Sequence, residues 1–327
     1  MFPLYMLCCA FFLKNNPLLP SQAETWAGWW FFAILDPILL TLGRCATHAS
    51  KHAKKPAMTS SKQIASGTDY EVTVLVASMP GAFKTMTTCT VIRSGADLVF
   101  YNPVFASPAE YKKCATPQTT RVQIVMGNKY HHMATDVILE AFPDAQITGS
   151  PHAAKRHPSI TDKYTSVADA WKMTGFSLVD LSHIGHYFEV WVYFEPACLI
   201  CSCDIMPGIT AVQIEEGGKF WPISFLEPIV RLFDYGCNMC SPSNNHTTMA
   251  AYTKTTIADR GAMRTVVSKL LSKNKIKLCT GAHLMKEGCS APGENFVKQF
   301  SWLLPPGFTA LETDVNALQT APVADSA

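Results

Sequence analysis

The stretch "GNKYHHMATD", residues 127–136, decides how the rest of the chain is read. It continues "RVQIVMG" (121–127), whose nearly unbroken apolar end reads as an interior strand. It runs into "ATDVILEAF" (134–142), which has helical spacing and is followed by Pro143. Two adjacent histidines, His131 and His132, lie between strand and helix. Neighbours on a strand point to opposite faces, so both imidazoles can serve one site only if the backbone turns there. The stretch is therefore either a bent metal-binding loop or an ordinary turn whose polar residues cap a helix and satisfy buried carbonyls.

Working outward, the pattern before this loop is one of short strands rich in β-branched and aromatic residues: "YEVTVLVA" (70–77), "TCTVIRSG" (88–95) and "DLVFYNPV" (97–104). A short helix is expected at "PAEYKKCA" (108–115). After the loop come a short strand "AQITGS" (145–150) and a brief helix "HAAKRHP" (152–158). "FEVWVYF" (188–194) turns through "EPA" into "CLICSCD" (198–204), a hairpin. "FLEPIVRLFDYG" (225–236) reads as an apolar helix. "DRGAMRTVVSKLLSKN" (259–274) carries Met263, Val266, Val267, Leu270 and Leu271 as one stripe at steps of three and four, an amphipathic helix. It feeds the strand "KIKLCTGAH" (275–283), and a last helix spans about 293–303. This order predicts two mixed sheets with helices outside, a layered α/β sandwich.

Composition sets the frame. The chain has 327 residues, 48% hydrophobic and 16% charged, so a sizeable core is available. A net charge of +2 gives no reason to expect a nucleic-acid partner. No internal repeat and no glycine-rich phosphate loop is visible. Of the 12 cysteines most are expected to be reduced and buried, because a chain of this size does not depend on disulfides. Asn245-His246-Thr247 fits a glycosylation acceptor, relevant only in a lumenal setting.

Residues 1–56 differ from the rest and form an apolar N-terminal extension. Within it "WAGWWFFAILDPILLTLG" (26–43) is a candidate membrane segment, flanked by Arg44, Lys51, Lys54 and Lys55, which would place the main domain on the cytosolic side. Its 18 residues are near the lower limit for a span, and Asp36 inside it would cost roughly 2.5–3.5 kcal/mol. A cleaved targeting segment, consistent with an organelle-targeted protein, and a helix packed on the domain are the other readings. Residues 57–67 read as a polar linker. The domain proper is expected over 68–304, with a disordered small-residue tail at 305–327.

Of the 10 histidines, four stand at or near strand ends beside turns: His131, His132, His186 and His283. Asp204 also ends a strand. In layered α/β folds ligands gather where strand ends and loops meet. Four imidazoles and a carboxylate suit zinc, iron or manganese. The cysteines offer another arrangement. Cys201 and Cys203, two apart on a strand, face one side while Asp204 faces the other. With "CNMC" (237–240) they would make a four-thiolate zinc site. Phe220 and Trp221 could line a cleft, although packing against the core or the helix layer is the favoured reading of such aromatics.

Three pieces in order, "IVMGNKYHHMATDVILEAFPDAQITGSP", "GHYFEVWVYFEPACLICSCD" and "MRTVVSKLLSKNKIKLCTGAH", resemble the metallo-β-lactamase fold superfamily, and most closely a branch known as domain-of-unknown-function family 4336. The resemblance covers about residues 70–303 and implies a four-layer αββα sandwich. That superfamily shows H-x-H-x-D-H at the loop. Here Gly127 and Lys129 stand at the first two histidines, His131 at the aspartate, and His132 at the last histidine. His186, Asp204 and His283 match the later ligands.

This departure implies that one of two metal positions is lost. The resemblance leaves a single divalent ion (zinc, iron or manganese) held by His131, His132, Asp204 and His283, with His186 as a further ligand or a water-orienting group. Catalysis would fall to His131, His132 and Asp204, acting on an ester or phosphoester of an unidentified small molecule. Lys129 would repel a cation or neutralise an anionic substrate. The alternative is a non-catalytic binding or scaffold module on a decayed site.

Overall fold

The computed structural model describes residues 58–78, 86–170, 173–205, 256–282, 291–300, 303–306 and 308. The first sheet is built from β1 (Met58–Ser66), β2 (Tyr70–Ser78), β3 (Met86–Ser94), β4 (Asp97–Tyr101), β5 (Arg121–Met126) and β6 (Gln146–Gly149), in that spatial order. Its first four strands are antiparallel neighbours, whereas β4, β5 and β6 run parallel. Parallel neighbours need crossovers, and α1 (Pro108–Lys112) and α2 (Thr135–Ala141) supply them. After α3 (Pro151–Arg156) the chain enters the second sheet with β7 (Phe176–Leu181), β8 (Glu189–Phe194) and β9 (Leu199–Cys201). Helix α4 (Arg260–Lys273) leads to β10 (Leu278–Thr280) and β11 (Ala291–Pro292), and α5 (Gly293–Phe300) follows. The spatial order is β11-β10-β9-β8-β7, with β9 and β10 parallel.

Side-chain alternation packs the two sheets face to face. Val190, Val192 and Phe194 of β8 point inward, against Val72, Ile92, Val99 and Val125 of the first sheet. Trp191 and Tyr193, the intervening residues, point outward onto Met263, Val267, Leu270 and Leu271 of α4 and Phe296 and Phe300 of α5. The same alternation on β5 sends Ile124 and Met126 outward, among Ile138 and Ala141 of α2 and Ala153 of α3. Each fully buried side chain of this size contributes about 1.5–3 kcal/mol relative to exposure. The result is an α/β sandwich, with a core between the sheets and another beneath the helices on each outer face.

The sheets are also tied by hydrogen bonds at one end. The Tyr101 hydroxyl donates to the Val190 carbonyl at 3.0 Å, and the Val190 N–H donates to the Gly127 carbonyl at 2.8 Å. The Lys129 N–H donates to the Tyr187 carbonyl at 3.2 Å. On the other side of β8, Thr90 Oγ1 donates to Thr280 Oγ1 at 2.9 Å, and the Thr88 N–H to the Ala282 carbonyl at 2.9 Å.

Several expectations are corrected. Most of the polar stretch 57–67 is strand β1, paired antiparallel with β2 from Met58↔Ala77 to Ser66↔Glu71, with two register shifts. Its Ser and Lys content marks an edge strand rather than a linker. Strand β7 lies where the sequence pattern shows no element, because only Phe176 and Leu181 of it are fully buried. Strand β9 stops at Cys201, so residues 202–204 leave the ladder that the hairpin reading assigned them. No helix among the described residues is long and apolar enough to cross a membrane. The segment 26–43, the helix at 225–236, Cys237 and Cys240, Phe220, Trp221, Asn245 and most of the tail lie outside the described residues.

Candidate metal centre

Strand β5 of the first sheet and strand β9 of the second each release the chain into a buried turn, and the two turns meet. After Met126 the backbone passes through Gly127, where an added Cβ would overlap Asn102 Oδ1 and crowd the Tyr101 hydroxyl, so any other residue would have to displace the buried Asn102 side chain. Asn128 then organises the loop. Its Oδ1 accepts the backbone N–H groups of Tyr130 (2.8 Å) and His131 (2.9 Å), an Asx-type turn. Its Nδ2 donates to Asp204 Oδ2 at 2.7 Å. The backbone thus bends before the histidine pair, and the two rings separate.

His131 Nε2 lies 3.3 Å from Asp204 Oδ1. The ligand atoms of His131, Cys203 and Asp204 all lie within 4.8 Å of one another. The Cys203 thiol donates to Asn102 Oδ1 at 3.4 Å. Cys203 is fully buried and Asp204 is 6% exposed. His132 is not in this set. Its ring faces His157, with centroids 5.3 Å apart, and His157 Nε2 is 3.1 Å from Asp136 Oδ2. His132 Nδ1 is buried without a hydrogen-bond partner among the described residues. His186 is buried in the turn before β8, its N–H donating to the Thr256 carbonyl at 2.9 Å, and it too stands outside the set. His283 lies outside the described residues.

The sequence reading missed Cys203 as a companion of Asp204. It placed the two on opposite faces of a strand, but the ladder ends at Cys201 and the turn at 203–205 brings both groups to one point. No local signal in "CLICSCD" marks this, because the strand ends where Ser202 bonds to the Thr280 carbonyl instead of continuing the pairing with β8.

The electrostatics follow from burial. Burial, then the neighbouring His157 and Arg156, push the His132 imidazole down to about 3, so it is neutral at physiological pH. Burial and the adjacent carboxylates of Asp204 and Glu189 hold the Cys203 thiol well above its ordinary range. Glu189, fully buried at the start of β8, is pushed up to about 8 by burial and by Asp204, while hydrogen bonds from Trp191, Ile205 and Cys203 pull it back. Lys129 is 1% exposed, with its ammonium 5.0 Å from the Tyr130 ring centroid and 5.2 Å from that of Phe188.

Fold and site together define an α/β sandwich of two facing mixed sheets, with a buried nitrogen–sulfur–oxygen donor set at the ends of parallel strands. No family model matches the chain, and no curated protein matches it in sequence. Among solved structures it is similar to a metallo-β-lactamase from Hirschia baltica, at 10% identity and TM-score 0.44, covering 76% of this chain and 99% of that one. It is also similar to a metallo-β-lactamase from Pontibacter korlensis, at 10% identity and TM-score 0.45, covering 75% and 99%. A third is the metal-soaked Flv1 flavodiiron core from Synechocystis sp. PCC6803, at 13% identity and TM-score 0.41, covering 76% and 62%.

Proposed function

We propose that the chain is a divergent metallo-β-lactamase-like protein, a four-layer αββα sandwich, that holds one divalent cation and hydrolyses an ester or phosphoester. The carrying observation is the meeting of His131, Cys203 and Asp204 within 4.8 Å at the buried ends of two strands. One imidazole nitrogen, one sulfur and one carboxylate oxygen fit zinc or iron; the sulfur argues against manganese. A cation bound there would lower the pKa of its water and polarise a substrate oxygen.

The chain's own groups set up that chemistry. Asn128 orients the Asp204 carboxylate and fixes the turn that presents His131. Three protein donors leave a coordination position open for water, the arrangement catalytic sites share.

A second reading rests on the Asp204 contacts. Its two oxygens already meet His131 and Asn128, as in a metal-free fold that uses the aspartate as a buried acceptor. Elemental analysis of the purified full chain separates the two. The proposal expects about one equivalent of zinc or iron, lost in His131→Ala, Cys203→Ser and Asp204→Asn, together with hydrolysis of a p-nitrophenyl phosphodiester that follows metal content. Metal-free wild type would overturn it, and so would metal content unchanged in all three variants.

A further inference from the structure

The turn that carries Cys203 and Asp204 lies just past the end of its strand, where backbone pairing no longer sets its position. The β8–β9 register runs Phe194↔Leu199, Tyr193↔Ile200 and Val192↔Cys201. Continued two and then three residues further, it would set Val190 against Cys203 and Glu189 against Asp204. The ladder stops instead, and the Val190 N–H donates across to Gly127 in the other sheet. At that point a side chain takes over. Glu189 Oε1 accepts the Ile205 N–H at 2.6 Å, and Oε2 accepts the Trp191 indole N–H at 2.6 Å. Trp191 is itself wedged against Phe296 and Phe300 of α5, each at a centroid distance of 5.6 Å.

A carboxyl group buried this completely is costly unless its hydrogen bonds are made, and both oxygens here receive an N–H. We propose that Glu189 is a positioning residue for the metal centre, its carboxyl group replacing the missing strand partner and fixing the turn that presents Cys203 and Asp204. The inference rests on the metal reading above. It also makes a chemical distinction. Both contacts require acceptors, and a carboxyl group keeps an accepting oxygen at each position whether or not it is protonated. Glutamine is nearly the same size but offers one acceptor and one donor group, so Glu189→Gln must face an NH₂ against either the Ile205 or the Trp191 N–H.

The test uses the full chain and Co²⁺ as the probe, read by titration, by the thiolate-to-cobalt absorption band that reports Cys203, and by amide hydrogen exchange at 203–205. Glu189→Gln is expected to weaken Co²⁺ binding about tenfold to a hundredfold, to shift or abolish the thiolate band, and to speed exchange at Ile205. Trp191→Phe removes one N–H donor and gives the amide room to turn, so adding it to Glu189→Gln is expected to restore part of the affinity. Should Glu189→Gln fail to fold, Trp191→Phe alone still reports, because it frees Oε2 and is expected to change the Co²⁺ spectrum. Wild-type affinity, band and Ile205 exchange in the folded variant would overturn the positioning role. A wild-type chain that takes up no Co²⁺ would overturn the metal reading itself and this role with it, a result seen without any substitution.

Discussion

His132 illustrates how a residue beside a candidate ligand can serve the fold instead. Its imidazole is held down to about 3 against an ordinary 6.5, so between those values the unfolded chain binds a proton that the native one refuses. Stability from this residue is complete above pH 6.5 and is lost as the pH falls toward 3. Glu189 acts in the opposite sense. Raised from 4.5 to about 8, it favours the native state at low pH and loses that contribution as the pH rises through 8. The two windows overlap, so wild-type stability alone would hide both. Urea unfolding of wild type and His132→Gln at pH 7 and pH 4.5 exposes the first. The advantage of wild type over the variant should shrink by about 2–3 kcal/mol at the lower pH. A difference that does not change with pH would mean that the ring is solvated.

At the scale of elements, the sequence was most legible where periodicity was unbroken. The stripe of Met263, Val267, Leu270 and Leu271 is buried as its spacing demands, on a helix that spans 260–273. The in–out alternation of β8 is equally direct, since every apolar side chain of that strand finds a core on one face or the other. The helix begins at Asp259, whose Oδ1 accepts the Ala262 N–H at 2.9 Å. Asp259→Ala should cost about 1 kcal/mol in chemical denaturation, and Met263→Ala about 2–5 kcal/mol. A smaller loss for Met263→Ala than for Asp259→Ala would contradict the packing of α4 on Trp191. The site was less legible. His131 and Asp204 stood out by residue type, whereas Cys203 was grouped with Cys201 and set on the face away from Asp204, because a strand's end is set by tertiary pairing with Thr280 and not by local pattern. Strand β1 was missed for a related reason: an edge strand with exposed polar residues has the composition of a linker.

For the whole molecule, the seam between the sheets is the feature that matters. The Tyr101–Val190, Val190–Gly127 and Lys129–Tyr187 bonds join the sandwich at the end where the donor set lies. A cation held there would bind the native state and not the opened one, and so stabilise the whole sandwich by mass action. Thermal unfolding should shift upward with added Zn²⁺ and downward with a chelator in wild type, and show neither shift in Cys203→Ser. One cooperative transition is expected for both sheets, read by near-UV and far-UV circular dichroism together. Two separated transitions would show that the seam does not couple them.

The two register shifts in β1 carry a last consequence. A long straight border strand offers its unused amides to any similar strand it meets, and stacking into filaments follows. Here the border is kinked at Met58/Ser60 and again at Gln63/Ala65, and Lys62 lies between the kinks. A second copy would find neither an even row of amides nor a neutral surface to align on. The same serines and lysine that disguise this strand in the sequence are expected to oppose strand-to-strand self-association, so size-exclusion chromatography of Lys62→Val should show more association than wild type.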